Sequence, residues 1–153
     1  MTIVIGSDHA GYVLKEFLKT KLGGEGYRVV DYGTDSEEPV DYPDVAEKVA
    51  LAVKSSEESL GIVVCGTGIG MSIAANKIPG IRAAVCHSRF TARMAREHNW
   101  VNVIAVGARV LEPNEAWEVV KEFLSASFQG GRHSRRIEKI TALETKYMSP
   151  KYR

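Results

Sequence analysis

The chain has 153 residues, of which 44% are hydrophobic and 25% charged, enough for one domain with a sizeable core. A formal net charge of +1 gives no electrostatic case for nucleic acid, and no apolar window reaches the length that spans a bilayer. Charge is unevenly placed: residues 130–153 hold seven Lys/Arg and two Glu, so this tail is +5 against −4 for the rest.

The N-terminus runs directly into a strand-like TIVIGSDHAG, without the regions of a signal peptide. Thr2–Ile5 is the first expected strand, followed by a helix over Tyr12–Leu22 with Val13, Leu14, Phe17 and Leu18 at helical spacing. Tyr27–Asp31 is the second strand. Asp41 or Asp44 with Pro43 starts a helix that continues through Val45–Val53. Gly61–Cys65, Arg82–Cys86 and Asn102–Val106 complete five short strands rich in Val and Ile, without the strict alternation of a half-exposed sheet. A helix opens near Ile69, and Ser88–Glu97 and Pro113–Ser125 are further helices. Alternation of strand and helix predicts an α/β fold with helices on both faces of a parallel sheet.

Arg132–Tyr147 is helical in composition but has no strand after it. Ile137, Ile140, Leu143 and Tyr147 fall on one face, and Gly130–Gly131 precedes it as a hinge. The expectation is that this helix, with the basic tail through residue 153, docks across a subunit interface. Residues 1–153 form a single domain in this reading. Cys65 and Cys86 both end apolar runs, which suits reduced thiols and a cytoplasmic protein.

The most specific segment is GIVVCGTGIGMS over residues 61–72. A buried strand stops at Cys65, and glycines at 66, 68 and 70 let a ligand approach the backbone N–H groups closely. A nucleotide reading fails on spacing. The third glycine of G-x-G-x-x-G is replaced by Met71, and no G-x-x-x-x-G-K-[ST] occurs. Cys and His spacing indicates no zinc site. A small-anion or oxyanion site beside a thiol remains.

Ligands of open parallel sheets bind beyond the carboxyl ends of the strands. Gly6-Ser7-Asp8-His9, Cys65, Cys86-His87 and Gly107-Ala108-Arg109 stand there, and Glu97-His98-Asn99 precedes the fifth strand. A carboxylate, an imidazole, a thiol and a guanidinium can thus converge. Each has a plain alternative. Asp8 can cap the first helix, His9 and His98 can be structural, and Cys65 can be an inert small hydrophobe. Cys86 and His87 are read as structural.

Taken together, GSDHAG (6–11), Asp41-Tyr42-Pro43, CGTGIGMSIAANK (65–77), GIRAAVC (80–86), EHN (97–99) and GGRHSRRI (130–137) resemble one family nearly end to end. It is that of the type B ribose-5-phosphate isomerases, shared with the galactose-6-phosphate isomerase subunits. The resemblance implies a three-layer α/β/α sandwich with a five-stranded, Rossmann-like parallel sheet. It also implies a homodimer or homotetramer with active sites between subunits, and no metal or organic cofactor. The implied reaction interconverts D-ribose 5-phosphate and D-ribulose 5-phosphate, a step of the pentose phosphate pathway, through a cis-enediolate.

By resemblance Cys65 is the base, and backbone N–H groups of Gly66, Gly68, Ile69 and Gly70 face the enediolate oxygens. His98 opens the sugar ring, assisted by Asp8 and Thr67. Tyr42 lies against the sugar and Asn99 binds a hydroxyl. His9, Arg109, Arg132 and Arg136 hold the phosphate, the last two being four residues apart on one helix face. Some members use a glutamate shortly after the cysteine position; Gly70–Ala74 has none here. Trp100-Val101 departs from the family pattern, which opens six-carbon aldose 6-phosphates as alternative substrates. A non-catalytic sugar-phosphate-binding subunit is the alternative from another class, because the galactose-6-phosphate system divides its work between dissimilar chains.

Overall fold

The computed structural model describes residues 1–148 and Pro150. Five strands, β1 (Thr2–Ser7), β2 (Arg28–Asp31), β3 (Ser59–Cys65), β4 (Ala83–Val85) and β5 (Val103–Gly107), are all parallel, in the order β2-β1-β3-β5-β4. Six helices connect or follow them: α1 (Tyr12–Gly24), α2 (Tyr42–Lys54), α3 (Ile69–Ala75), α4 (Arg89–Asn99), α5 (Pro113–Ser125) and α6 (Arg132–Tyr147). Every expected strand is present, with β4 trimmed to three residues. The end of the expected basic tail, Ser149 and residues 151–153, lies outside the described residues.

Each strand sends alternate residues to opposite layers. Ile3 and Ile5 of β1 join Leu14, Leu18 and Leu22 of α1 and Phe123 of α5 in one core. Val4 and Val63 join Val45, Val49 and Val53 of α2 and Met71 of α3 in the other. The sheet is therefore the middle of three layers. Strand order reverses between β1 and β3, so a crevice opens beyond their carboxyl ends. Asp8 follows β1 and Cys65 ends β3 at that point.

A buried charge network fixes the loop that leads from β2 to α2. Lys15 on α1 is fully buried, and its Nζ donates to Asp31 Oδ1 and Oδ2 at 2.9 and 2.8 Å and to the Thr34 carbonyl. Lys19 Nζ reaches Asp31 Oδ2 at 2.8 Å. Burial alone would raise the Asp31 carboxyl, but hydrogen bonds from Lys15, Lys19 and the Gly33 N–H hold it below the usual range. Lys15→Met leaves no buried charge unpaired, because Asp31 is partly exposed and still reached by Lys19, but it takes the donor from the Thr34 carbonyl, so a loss of about 1–3 kcal/mol is expected. Denaturant unfolding should show this as a lower midpoint at unchanged slope. A carboxylate depressed in the folded state stabilises above its unfolded pKa of about 3.9, and that contribution fades as pH falls through the lower folded value. The stability gap between the natural chain and Asp31→Asn should therefore close in acid below about pH 4.

Candidate active site

The loop after Cys65 is folded around the sulfur. Gly68 takes φ +78°, a conformation that glycine tolerates, and its N–H donates to Cys65 Sγ at 3.1 Å. Cys65 is 5% exposed. On one side the turn is closed by Tyr42, at the start of α2: a Cβ on Gly70 would stand 2.6 Å from the tyrosine Cζ, so only glycine lets the ring lie there. On the other side is Arg109, whose Nη1 would be 3.1 Å from a Cβ on Gly66. Its backbone is tied to the same turn, because the Arg109 N–H donates to the Gly66 carbonyl at 2.9 Å and the Ala108 N–H to that of Cys65 at 2.8 Å. Thr67 and Ile69 are exposed at the crest of the turn.

Asp8 is buried, and its Oδ1 accepts the Gly11 N–H at 3.0 Å where α1 begins. Gly11, not Asp8, is the N-cap of α1, and no side chain caps that helix, so Asp8 braces the turn before it. His9 Nδ1 accepts the Val40 N–H at 3.2 Å, so the loop carrying Tyr42 is held at both ends, by Lys15 and by His9. His87 is structural as expected: its Nε2 accepts the Gly107 N–H at 3.0 Å, and burial lowers its pKa. Cys86 is core, 2% exposed, with burial pushing its thiol up to about 11.

Asp8, His9, Tyr42, the Cys65–Gly70 turn and Arg109 therefore share the carboxyl edge of the sheet. His98, Asn99, Arg132 and Arg136 do not join them within one chain. α4 runs back against the strands, and the segment after it is fixed at the opposite edge: Asn102 Oδ1 accepts the Arg82 N–H at 2.8 Å, just before β4. Cys65 pairs instead with Gly107, five residues further along, or about 16 Å of strand. His98 there stacks on His133 of α6, ring centroids 4.1 Å apart and planes within 11°. Lower down α6, the Glu144 carboxylate accepts the Gly80 N–H at 3.0 Å. The residues expected to act together thus lie in two separate groups on one chain. Trp100, the odd residue of the loop, stacks on Phe128 at 5.0 Å and lies under Arg82.

Two residues of consequence escaped the sequence reading. Lys15 resembles any helix-surface lysine; its only signal is its place on the stripe Lys15, Leu18, Leu22. His133 lies inside the GGRHSRRI segment, where only the arginines received roles.

A parallel sheet with its chemistry at the strand-order reversal is the architecture of a doubly wound α/β enzyme. Comparison with known proteins narrows that class. The family model for ribose/galactose isomerase matches residues 3–140, and the chain belongs to that family. It is 48% identical over 142 residues to ribose-5-phosphate isomerase B of Escherichia coli, covering 93% of this chain and 95% of that one. Ribose-5-phosphate isomerase B of Clostridium thermocellum superposes with a TM-score of 0.94 at 56% identity, covering 96% of this chain and 99% of that one. The Mycoplasma genitalium enzyme, solved with bound ribulose 5-phosphate, gives 0.91 at 42% identity over 95% and 97% of the two chains. No helix among the described residues is long and apolar enough to cross a membrane.

Proposed function

We propose that this chain interconverts D-ribose 5-phosphate and D-ribulose 5-phosphate, with each active site assembled from two copies. The observation that carries the chemistry is the glycine turn closed on Cys65 Sγ through the Gly68 N–H, in a chain 56% identical to an isomerase of this kind. One copy supplies Asp8, His9, Tyr42, the Cys65 turn and Arg109. A second copy supplies His98, Asn99, Arg132 and Arg136. Support for the pairing comes from the surface as well as from the split. A groove of about 800 Å³ runs between the β4 edge and α6, and apolar residues including Ile81, Met94, Val101, Ile140 and Leu143 line it. Ile140 and Leu143 are 46% and 57% exposed in the single chain, an apolar face that a second copy would cover. A homodimer or homotetramer is the proposed assembly, and a reducing, cytoplasmic setting suits the two free thiols.

The reaction begins with the furanose. His98 of the partner subunit shuttles the proton between the ring oxygen and the anomeric hydroxyl, while Asp8 and Thr67 hydrogen-bond sugar oxygens. Ring opening exposes the C1 aldehyde. Cys65, as thiolate, then takes the C2 proton; the C–H electron pair becomes the C1–C2 double bond and the carbonyl pair moves to O1. N–H groups of the glycine turn meet the developing oxyanion, worth about 3–4 kcal/mol for a preorganised donor. The O2 hydroxyl proton passes to O1, and return of the Cys65 proton to C1 as O2 becomes a carbonyl yields the ketose. His9, Arg109, Arg132 and Arg136 anchor the phosphate, arginine matching its oxygens with a planar fork.

The test is turnover of a panel of five- and six-carbon aldose phosphates by the purified chain. D-ribose 5-phosphate should give the highest kcat/KM. Preference for a six-carbon 6-phosphate would reassign the substrate, and binding without turnover would favour the non-catalytic subunit.

A further inference from the structure

We propose that Arg82 and Arg96 form a second anion site, separate from the catalytic one, that binds a phosphate group. The two side chains line a cavity of about 450 Å³ at the edge of the sheet where β3 and β5 begin. None of the residues assigned to the reaction lines it. What sets the pair apart is charge without a counter-charge. Among the described residues neither arginine has a carboxylate within ion-pair distance, whereas Arg89 and Arg93 share Glu122. Glu144 acts on Arg82 only at longer range, and its carboxylate is engaged by the Gly80 N–H.

Both groups are held in place by carbonyls and rings. Arg82 Nε donates to the Trp100 carbonyl at 2.8 Å, and the guanidinium lies 5.0 Å from the centre of the Trp100 ring. Arg96 Nη1 donates to the Val101 carbonyl at 2.7 Å, with the group 5.7 Å from the centre of the Phe123 ring. The Arg96 Nε is buried without a partner. Trp100 itself takes φ +48° at the end of α4 and stacks on Phe128. It offers the arginines a carbonyl and a ring face but no negative charge. Burial lowers the pKa of both arginines, and the charge on Arg82 lowers that of Arg96 further, so two half-buried cations repel each other. Arginine does not shed its proton in proteins, so an anion is what relieves the repulsion. Planar guanidinium forks match phosphate oxygens. Among the described residues that line the cavity, Lys54 adds a third cation and Glu57 is the only acid.

Inorganic phosphate is the probe, titrated calorimetrically at constant ionic strength so that screening stays fixed. The full chain carries Arg136→Ala, which weakens the proposed hold on the substrate phosphate; the saturable heat that remains reports the second site. Adding Arg82→Gln or Arg96→Gln should weaken this binding about 10- to 100-fold, the effect of losing a charge-assisted hydrogen bond. Substitution of Trp100 gives a test that keeps both arginines. Asn and Asp both tolerate a left-handed backbone, but only Asp brings a carboxylate beside the guanidinium groups. Trp100→Asn should bind phosphate within about threefold of its parent, and Trp100→Asp at least about tenfold more weakly than Trp100→Asn. The same titrations with glycerol 3-phosphate tell free phosphate from phosphate carried on a small metabolite, by which of the two binds tighter. Three results overturn the proposal: no saturable heat in the Arg136→Ala chain, binding unchanged by Arg82→Gln and Arg96→Gln, or equal affinity in the Asp and Asn variants.

Discussion

Cys65→Ala is expected to lower kcat on D-ribose 5-phosphate by ~10²–10⁴-fold, the usual span for a positioned proton-transfer group. The groups proposed to hold phosphate are untouched, so KM should move only a few-fold, and the loss should fall almost wholly on the chemical step. The side chain is small and sits at the end of a strand whose interior neighbours remain, so the fold should persist. A variant that keeps near-natural turnover would remove the thiol from the mechanism and revive the reading of Cys65 as an inert core residue.

Mixing two dead chains should restore activity. Cys65→Ala loses one half-site and His98→Ala loses the other. In a symmetric dimer each site takes one half from each copy, so a hybrid contains one doubly damaged site and one intact site. Co-expression at equal levels makes about half of the dimers hybrid, which gives about a quarter of natural activity. Activity per site cannot recover if Cys65 and His98 act from the same chain, because no hybrid would then hold an intact pair. The signal is large, since each parent is expected to be nearly inactive.

Much of this was legible in the residues because burial and turn chemistry leave strong local marks. Five Val- and Ile-rich runs became five strands, and the Cys65–Gly70 turn could be read as a tight loop before any coordinate was known. Cys86 reads as core because no glycine turn follows it, and it is 2% exposed. What the chain order concealed was direction. Glu97-His98-Asn99 stands only four residues before β5, and that proximity invited grouping it with the strand-end residues. In a parallel sheet, however, the segment entering a strand lies at the edge opposite the one the strand leaves by. Lys15 was hidden for another reason: nothing local distinguishes a lysine that meets Asp31 and Thr34, 16 and 19 residues away, from one that meets water. The stacking of His98 on His133 likewise depends on how two helices cross.

The proposed separation of the half-sites onto opposite edges of one chain also bears on how such enzymes can diversify. In a symmetric assembly every chain must keep both halves, so a substitution in either is felt at every active centre. After gene duplication the constraint relaxes. One copy can retain the cysteine turn while its sister retains the histidine and arginine helix, and their mixed assembly still contains complete centres. Division of labour between dissimilar chains is then a direct outcome of strand direction, needing no change of fold and no new catalytic group.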